Sequence, residues 1–176
     1  YLKRLLIGGF EKIYELGRNF RNEGVDATHN PEFTMLELYA AWWNEEDMMK
    51  FVEEFFASLV KNFFKKSEFE YDGKRISAEV PFKRISFKEI LEKYALITDY
   101  DAMDLKHITA EAARLGIGVE KHDTKGRIAD EIYKKVCRPH LIEPTFVVHH
   151  PVEISPLAKA YPPNSNEVRR MQLVVA

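Results

Sequence analysis

Two segments with strand-like patterning, residues 12–23 and 32–42, flank a short polar loop. Apolar and polar residues alternate imperfectly in the first segment, and the second is rich in aromatic residues, which favour strands. The loop, residues 24–31, contains glycine, aspartate, asparagine and proline, all of which favour turns. Because the connection is short, we predict that the two segments form an antiparallel pair of strands.

A long amphipathic helix is predicted after the second segment. Asn44 is suited to cap its start, acidic residues follow in the first turn, and lysines gather near its end, as the helix dipole favours. Apolar residues then recur at three- and four-residue steps, which predicts one packed core face. The residues of this predicted face are Met48, Phe51, Val52, Phe55, Phe56, Leu59 and Phe63.

The rest of the chain predicts a mixture of short strands and helices. Short strands are expected around the Asp72–Gly73 turn and from Thr145 to His149. Helices are expected over residues 86–94, 104–116 and 124–137. We therefore predict an α+β fold, in which a mainly antiparallel sheet is flanked by helices and carries a helical insertion.

Composition excludes some classes of protein but does not identify a function. The 176 residues are 45% hydrophobic, and 26 basic against 28 acidic residues leave a net charge of -2, so net charge does not indicate a nucleic-acid partner. The lone Cys137 is expected to be buried and fits a reducing compartment, which suggests the cytoplasm. We expect no membrane span, since no apolar run approaches about 20 residues. No metal site is assigned, because the aspartates at 99, 101 and 104 lack the calcium-loop pattern.

The chemistry-bearing residues lie on and around the two predicted strands. Arg21 and Glu23 share a face, and an arginine fork suits phosphate or carboxylate oxygens. Phe33 offers a flat surface to a planar ring, and Glu37 with Tyr39 could receive an ammonium group. The simpler interpretation, which pattern alone favours, is a half-buried hairpin with a polar face.

A family resemblance changes that balance. The run Phe20-Arg21-Asn22-Glu23, followed by residues 29–39 (HNPEFTMLELY), resembles motif two of the class II aminoacyl-tRNA synthetases. Its form is typical of the lysyl-tRNA synthetases. Residues 1–11, 144–147 and 150–159 also resemble that family, in the right order, whereas the middle resembles it only in helical character.

The resemblance implies roles for the residues around the nucleotide. It implies that Arg21 is the catalytic residue and contacts both the α-phosphate of ATP and the carboxylate of the amino acid. Glu23 would receive the adenine amino group, and Phe33 would stack on the adenine. His29 and Asn30 would lie on the loop that meets the phosphates and the end of the tRNA.

The resemblance also implies a substrate and a reaction. Glu37 and Tyr39 would read the lysine side chain, as expected for an anionic, hydrogen-bonding pocket. The implied enzyme is a lysine-tRNA ligase, which activates lysine with ATP and transfers it to tRNA(Lys). Two alternatives stay open. One is a lysyl transferase that modifies elongation factor P, and the other is a non-catalytic synthetase-like module that binds tRNA or a protein.

The resemblance further implies a division of the chain. Residues 1–100 would begin the catalytic domain, residues 101–143 would be the helical insertion, and residues 144–176 would return to the catalytic domain. Motif three, with the ligands of Mg²⁺, is expected after this chain, and motif one, which forms a homodimer, before it. We therefore expect this part to have little or no activity alone.

Overall fold

The chain forms two units, Tyr1–Asn44 and Glu45–Ala176, in the computed structural model. The structure describes residues 1–22, 24–26, 29–162 and 165–176. Among these residues, no helix has both the length and the apolar character that a membrane crossing requires.

The first unit is a helix followed by a two-stranded hairpin. Helix α1 covers Leu2–Ile7, strand β1 covers Lys12–Phe20, and strand β2 covers Glu32–Ala40. The strands pair antiparallel along their full length, which confirms the predicted pairing. The first strand ends at Phe20, earlier than predicted, although the Arg21 N–H still donates to the Pro31 carbonyl oxygen at 2.9 Å.

The second unit alternates helices with short strands. Its helices are α2 (Glu45–Phe64), α3 (Phe87–Ile90), α4 (Leu105–Arg114) and α5 (Lys125–Ile132). A π-helical turn extends α3 over Leu91–Ala95 and another extends α5 over Tyr133–Cys137, while 3-10 turns cover Arg138–His140 and Val152–Ile154. Its strands are β3 (Glu68–Tyr71), β4 (Lys74–Ser77), β5 (Lys83–Ser86), β6 (Thr145–Val148), β7 (His150–Pro151), β8 (Glu167–Val168) and β9 (Gln172–Val174).

Strand pairing in the described residues is mainly antiparallel and is divided among four small sheets. Strands β3 and β4 form the hairpin predicted around Asp72 and Gly73, whose φ angles of 48° and 70° suit a tight hairpin turn. Strand β6 pairs parallel with β5 and antiparallel with β9, and β7 pairs antiparallel with β8. The predicted α+β class is confirmed.

The main core of the second unit lies between α3, α4, α5 and the sheet of β5, β6 and β9. Helical segments lie in the three regions where the sequence predicts them, and their apolar residues are buried together with Val147 of β6 and Val174 of β9. Cys137 is fully buried, as predicted. The helices around residues 105–137 therefore share one core with the strands.

The predicted buried face of α2 is partly wrong. The helix begins at Glu45, directly after the predicted cap, and Val52 and Phe56 of the predicted face pack against buried apolar residues. Phe55, Leu59 and Phe63 are 39%, 50% and 81% exposed. The buried residues are Met49, Glu53 and Val60. Glu53 is buried because its carboxylate accepts the Phe82 N–H at 3.1 Å, a partner that helical periodicity does not reveal.

Candidate functional site

The predicted site residues of β2 lie on one face of the hairpin, opposite residues of β1. Side chains alternate between the faces of a strand, so every second residue of each strand shares this face. The directly opposed pairs are Ile13 with Tyr39, Glu15 with Glu37, Gly17 with Met35, and Asn19 with Phe33. We call these eight residues, together with Arg21 beyond the end of β1, the hairpin face.

Arg21 and Phe33 meet at the loop end of the hairpin face. The guanidinium carbon of Arg21 lies 5.3 Å from the centroid of the Phe33 ring, within the range of a cation–π contact. Arg21 is exposed and Phe33 is half-buried. The structure thus places a planar cation beside a flat aromatic surface, and this pair can meet a phosphate and a planar base together.

The loop residues predicted to meet ATP are placed only in part. His29 donates its backbone N–H to Asp26 Oδ1 at 2.8 Å, and its Nδ1 lies 2.9 Å from Asp26 Oδ2. Asn30 follows it, and both side chains are exposed. Glu23 lies outside the described residues, so its predicted contact with adenine has no structural counterpart here.

Glu37 and Tyr39 lie side by side toward the other end of the hairpin face. The Tyr39 hydroxyl donates to Glu37 Oε1 at 3.2 Å, and both residues are half-buried. Partial burial raises the pKa of Tyr39, and the hydrogen bond to Glu37 and its negative charge raise it further. The hydroxyl therefore stays protonated at neutral pH, and the pair presents carboxylate and phenol oxygens that can accept hydrogen bonds.

A cavity of about 610 Å³ opens over this end of the hairpin face. Its lining residues are Tyr1, Leu2, Lys3, Arg4, Glu15, Asn19, Glu37 and Tyr39. We call it the hairpin pocket. The Lys3 ammonium lies 5.8 Å from the centroid of the Tyr39 ring. The pocket therefore combines two carboxylates with two cationic side chains.

Four polar pocket residues were not named from the sequence. Glu15 and Asn19 were detectable, because the two-residue period that relates Arg21 to Glu23 also places them on the same face. Lys3 and Arg4 were not, since they reach the pocket from α1 and no local pattern predicts where that helix packs on the hairpin.

The described residues contain no group of three or more histidine, cysteine, aspartate or glutamate side chains arranged to hold a metal ion. Two of the aspartates considered above have other partners. Asp101 pairs with Lys88, and Asp104 caps α4 by accepting the His107 N–H at 2.9 Å.

The segment after β7, which also carries the family resemblance, packs within the second unit. Ser155 accepts a hydrogen bond from the Arg170 guanidinium at 2.5 Å. Glu153 lies against Gly126 of α5, so closely that a β-carbon on the glycine would be 2.6 Å from Glu153 Cβ. Both residues therefore contribute to packing here.

Comparison with known proteins identifies the family. The family described as "tRNA synthetases class II (D, K and N)" matches residues 1–176. The chain belongs to this family. The motif-two resemblance is therefore confirmed at the level of the class II synthetases.

The chain is similar to several proteins named lysine–tRNA ligase. The chain is 45% identical to the lysine–tRNA ligase of Buchnera aphidicola subsp. Schizaphis graminum over 177 aligned residues. It is 44% identical to that of Wigglesworthia glossinidia brevipalpis and 40% identical to that of Escherichia coli K12. These alignments cover 99–100% of the chain but only 35–36% of the relatives, so the chain spans about a third of their length.

Proposed function

We propose that this class II synthetase chain belongs to a lysine-tRNA ligase, which activates lysine with ATP and transfers it to tRNA(Lys). One observation carries the proposal. The Tyr39–Glu37 hydrogen bond, an ammonium-accepting pair, lies on the same hairpin face as the Arg21–Phe33 contact. The names of the similar proteins support the same substrate.

The lysine side chain would enter the hairpin pocket. An ammonium carries three N–H donors and a positive charge, so it needs oxygen acceptors and at least one carboxylate. Glu37 supplies the charge, and its hydrogen bond with Tyr39 fixes the relative position of both groups. Aspartate and asparagine, the other amino acids of this family, would instead bring a carboxylate or an amide against Glu37.

ATP would bind at the loop end of the hairpin face. Phe33 would stack on adenine, and Arg21 would contact the α-phosphate and the lysine carboxylate. A lysine carboxylate oxygen attacks the α-phosphorus and pyrophosphate leaves, so the arginine charge would stabilise the developing negative charge. Glu23, His29 and Asn30 are proposed as further ATP contacts.

In the second step, a hydroxyl oxygen of the terminal tRNA ribose attacks the lysyl carbonyl carbon and AMP leaves. No enzyme nucleophile is required. Mg²⁺ would accompany ATP and bridge its phosphates, and its protein ligands are proposed to lie in a part of the protein outside this chain. The domain division at residues 100 and 143, a homodimer and a cytoplasmic location complete the proposal.

The test is amino-acid-dependent exchange of pyrophosphate into ATP by the natural protein that contains this chain. We expect exchange with lysine and not with aspartate or asparagine. Glu37→Gln should lower kcat/KM for lysine by roughly tenfold or more, the loss expected when a charged hydrogen-bond partner is removed. The KM for ATP should not change, because Glu37 lies away from Phe33.

Two results would refute the proposal. One is exchange that depends on aspartate or asparagine, and the other is the absence of exchange with any amino acid. A second assay separates the alternatives by acceptor. Bulk tRNA should accept the lysyl group, whereas transfer to elongation factor P instead would favour the modifying enzyme. A protein that binds tRNA without any exchange would favour the non-catalytic module.

A further inference from the structure

Glu15 places a second carboxylate in the hairpin pocket. It lies directly opposite Glu37 in the antiparallel register, and both side chains line the cavity. Residues opposed in this way have β-carbons about 4.5–5.5 Å apart, so their carboxylates can reach one small cation from two sides.

The pair is unfavourable for the hairpin itself. Like charges directly opposite each other destabilise a pair of strands, and Glu15 and Glu37 are such a pair. The other face of the same hairpin shows the usual solution, because Glu32 there is paired with Arg18 at 3.0 Å. A local arrangement that costs stability is expected mainly at functional sites.

The number of hydrogen bonds also favours a second carboxylate. A desolvated ammonium must satisfy three N–H donors. Glu37 and Tyr39 are hydrogen-bonded to each other and offer acceptors from one strand only. Glu15 is the pocket carboxylate on the opposite strand, where it can supply a further acceptor.

The chain already places an ammonium beside this site. Lys3 carries the same chemical group as the side chain of free lysine, and its nitrogen lies 5.8 Å from the Tyr39 ring centroid. The wall of the pocket is therefore compatible with an ammonium beside the Tyr39 ring.

We propose that Glu15 is a specificity-determining residue, which accepts a hydrogen bond from the ε-ammonium of lysine opposite Glu37 and Tyr39. This inference rests on the proposed function. It adds a second carboxylate to the lysine subsite and assigns to the unfavourable Glu15–Glu37 pair the role of holding one cation.

The experiment uses the natural protein with Glu15→Gln, and Glu32→Gln as the matched control on the other face of the hairpin. Lysine-dependent pyrophosphate exchange is compared with exchange supported by 6-hydroxynorleucine, which has a hydroxyl in place of the ε-ammonium. We expect Glu15→Gln to reduce the preference for lysine roughly tenfold or more, mainly through KM for lysine. KM for ATP should stay unchanged, and Tm should be unchanged or raised because the repulsion is relieved.

Glu15→Asp provides a second variant that keeps the charge but withdraws the oxygens by one methylene. Its preference for lysine should fall between those of the wild type and Glu15→Gln. The control Glu32→Gln should keep the wild-type preference.

Three results would overturn the inference. If Glu15→Gln keeps the wild-type preference while Glu37→Gln loses it, Glu15 takes no part in selection and the proposed function survives. If Glu15→Gln instead lowers Tm and raises KM for ATP and KM for lysine equally, Glu15 only stabilises the hairpin and does not select the substrate. Should Glu37→Gln also leave the preference unchanged, the proposed function of the pocket fails, and this inference with it.

Discussion

Acidification should destabilise this protein through one buried histidine, His150. Its side chain is 2% exposed and packs against Phe87, with the ring centroids 5.5 Å apart. Its Nε2 lies 3.2 Å from the Val147 carbonyl oxygen, so Nε2 carries the proton and donates it. Within the described part of the chain Nδ1 has no hydrogen-bond partner, so a second proton bound there would have no acceptor for its N–H. Burial, with a further contribution from the nearby charge of Arg170, lowers the pKa of His150 to about 4.

The size of the effect follows from that difference in pKa. The unfolded chain binds a proton near the ordinary histidine pKa of 6.5, whereas the folded chain resists protonation until about pH 4. The contribution of neutral His150 to stability is therefore complete above pH 6.5 and is lost as pH falls toward 4. Since one pKa unit corresponds to about 1.36 kcal/mol, the total loss is about 3 kcal/mol. This is a large share of a typical free energy of unfolding of roughly 5–15 kcal/mol.

The assay is urea unfolding between pH 7.5 and pH 4.5, with His150→Gln compared with the wild type. Glutamine does not titrate. Between pH 7.5 and pH 4.5, the unfolding free energy of this variant should therefore fall by about 2.5 kcal/mol less than that of the wild type. His122→Gln is the matched control, because this histidine is exposed and should leave the pH dependence of the wild type intact. If wild type and His150→Gln stay separated by a constant free energy across the range, the argument from burial is refuted.

Two glycines allow opposite predictions. Gly126→Ala should lower Tm, because the added β-carbon would lie 2.6 Å from Glu153 Cβ and such overpacking costs roughly 1–3 kcal/mol. This cost exceeds the gain of about 1 kcal/mol that alanine brings in helix propensity. An unchanged or higher Tm would contradict this prediction. Gly17→Val should leave Tm unchanged, because nothing lies within 4 Å of the position of its β-carbon and valine favours strands. The same substitution should lower kcat/KM for lysine, because the valine side chain fills the floor of the hairpin face. Lysine-dependent exchange at the wild-type rate would contradict that reasoning.

The hairpin and its site face were predictable because their signals are local. A two-residue period and a loop of turn-forming residues specify two strands and which side chains share a face. Glu37 and Tyr39 were placed together without any tertiary information, because they lie two residues apart on one strand. The directly opposed pairs follow only once the loop fixes the register. The exact end of β1 was less predictable, because the residues directly after Phe20 are all polar and carry no pattern that marks where the strand stops.

The packing of the helices was not predictable in the same way. The apolar residues of α2 cover more than one side of the helix, so periodicity cannot decide which side is buried. Tertiary contacts decide it here, including the buried Glu53 that accepts the Phe82 N–H. The contribution of α1 to the hairpin pocket was missed for a related reason, since the position of Lys3 depends on how the helix packs on the strands.

Under the proposed function, the spacing along the hairpin face selects the length of the substrate as well as its charge. Successive residues on one face of a strand are roughly 7 Å apart, while the lysine side chain spans roughly 6 Å from α-carbon to nitrogen. If the ammonium lies between Glu15 and Glu37 and the carboxylate is directed toward Arg21 at the loop end, an extended lysine would have its α-carbon over Gly17 and Met35. The glycine leaves open space there. Ornithine, which is shorter by one methylene, would satisfy the ammonium only by withdrawing its carboxylate from the arginine, so the same face disfavours it without any steric block.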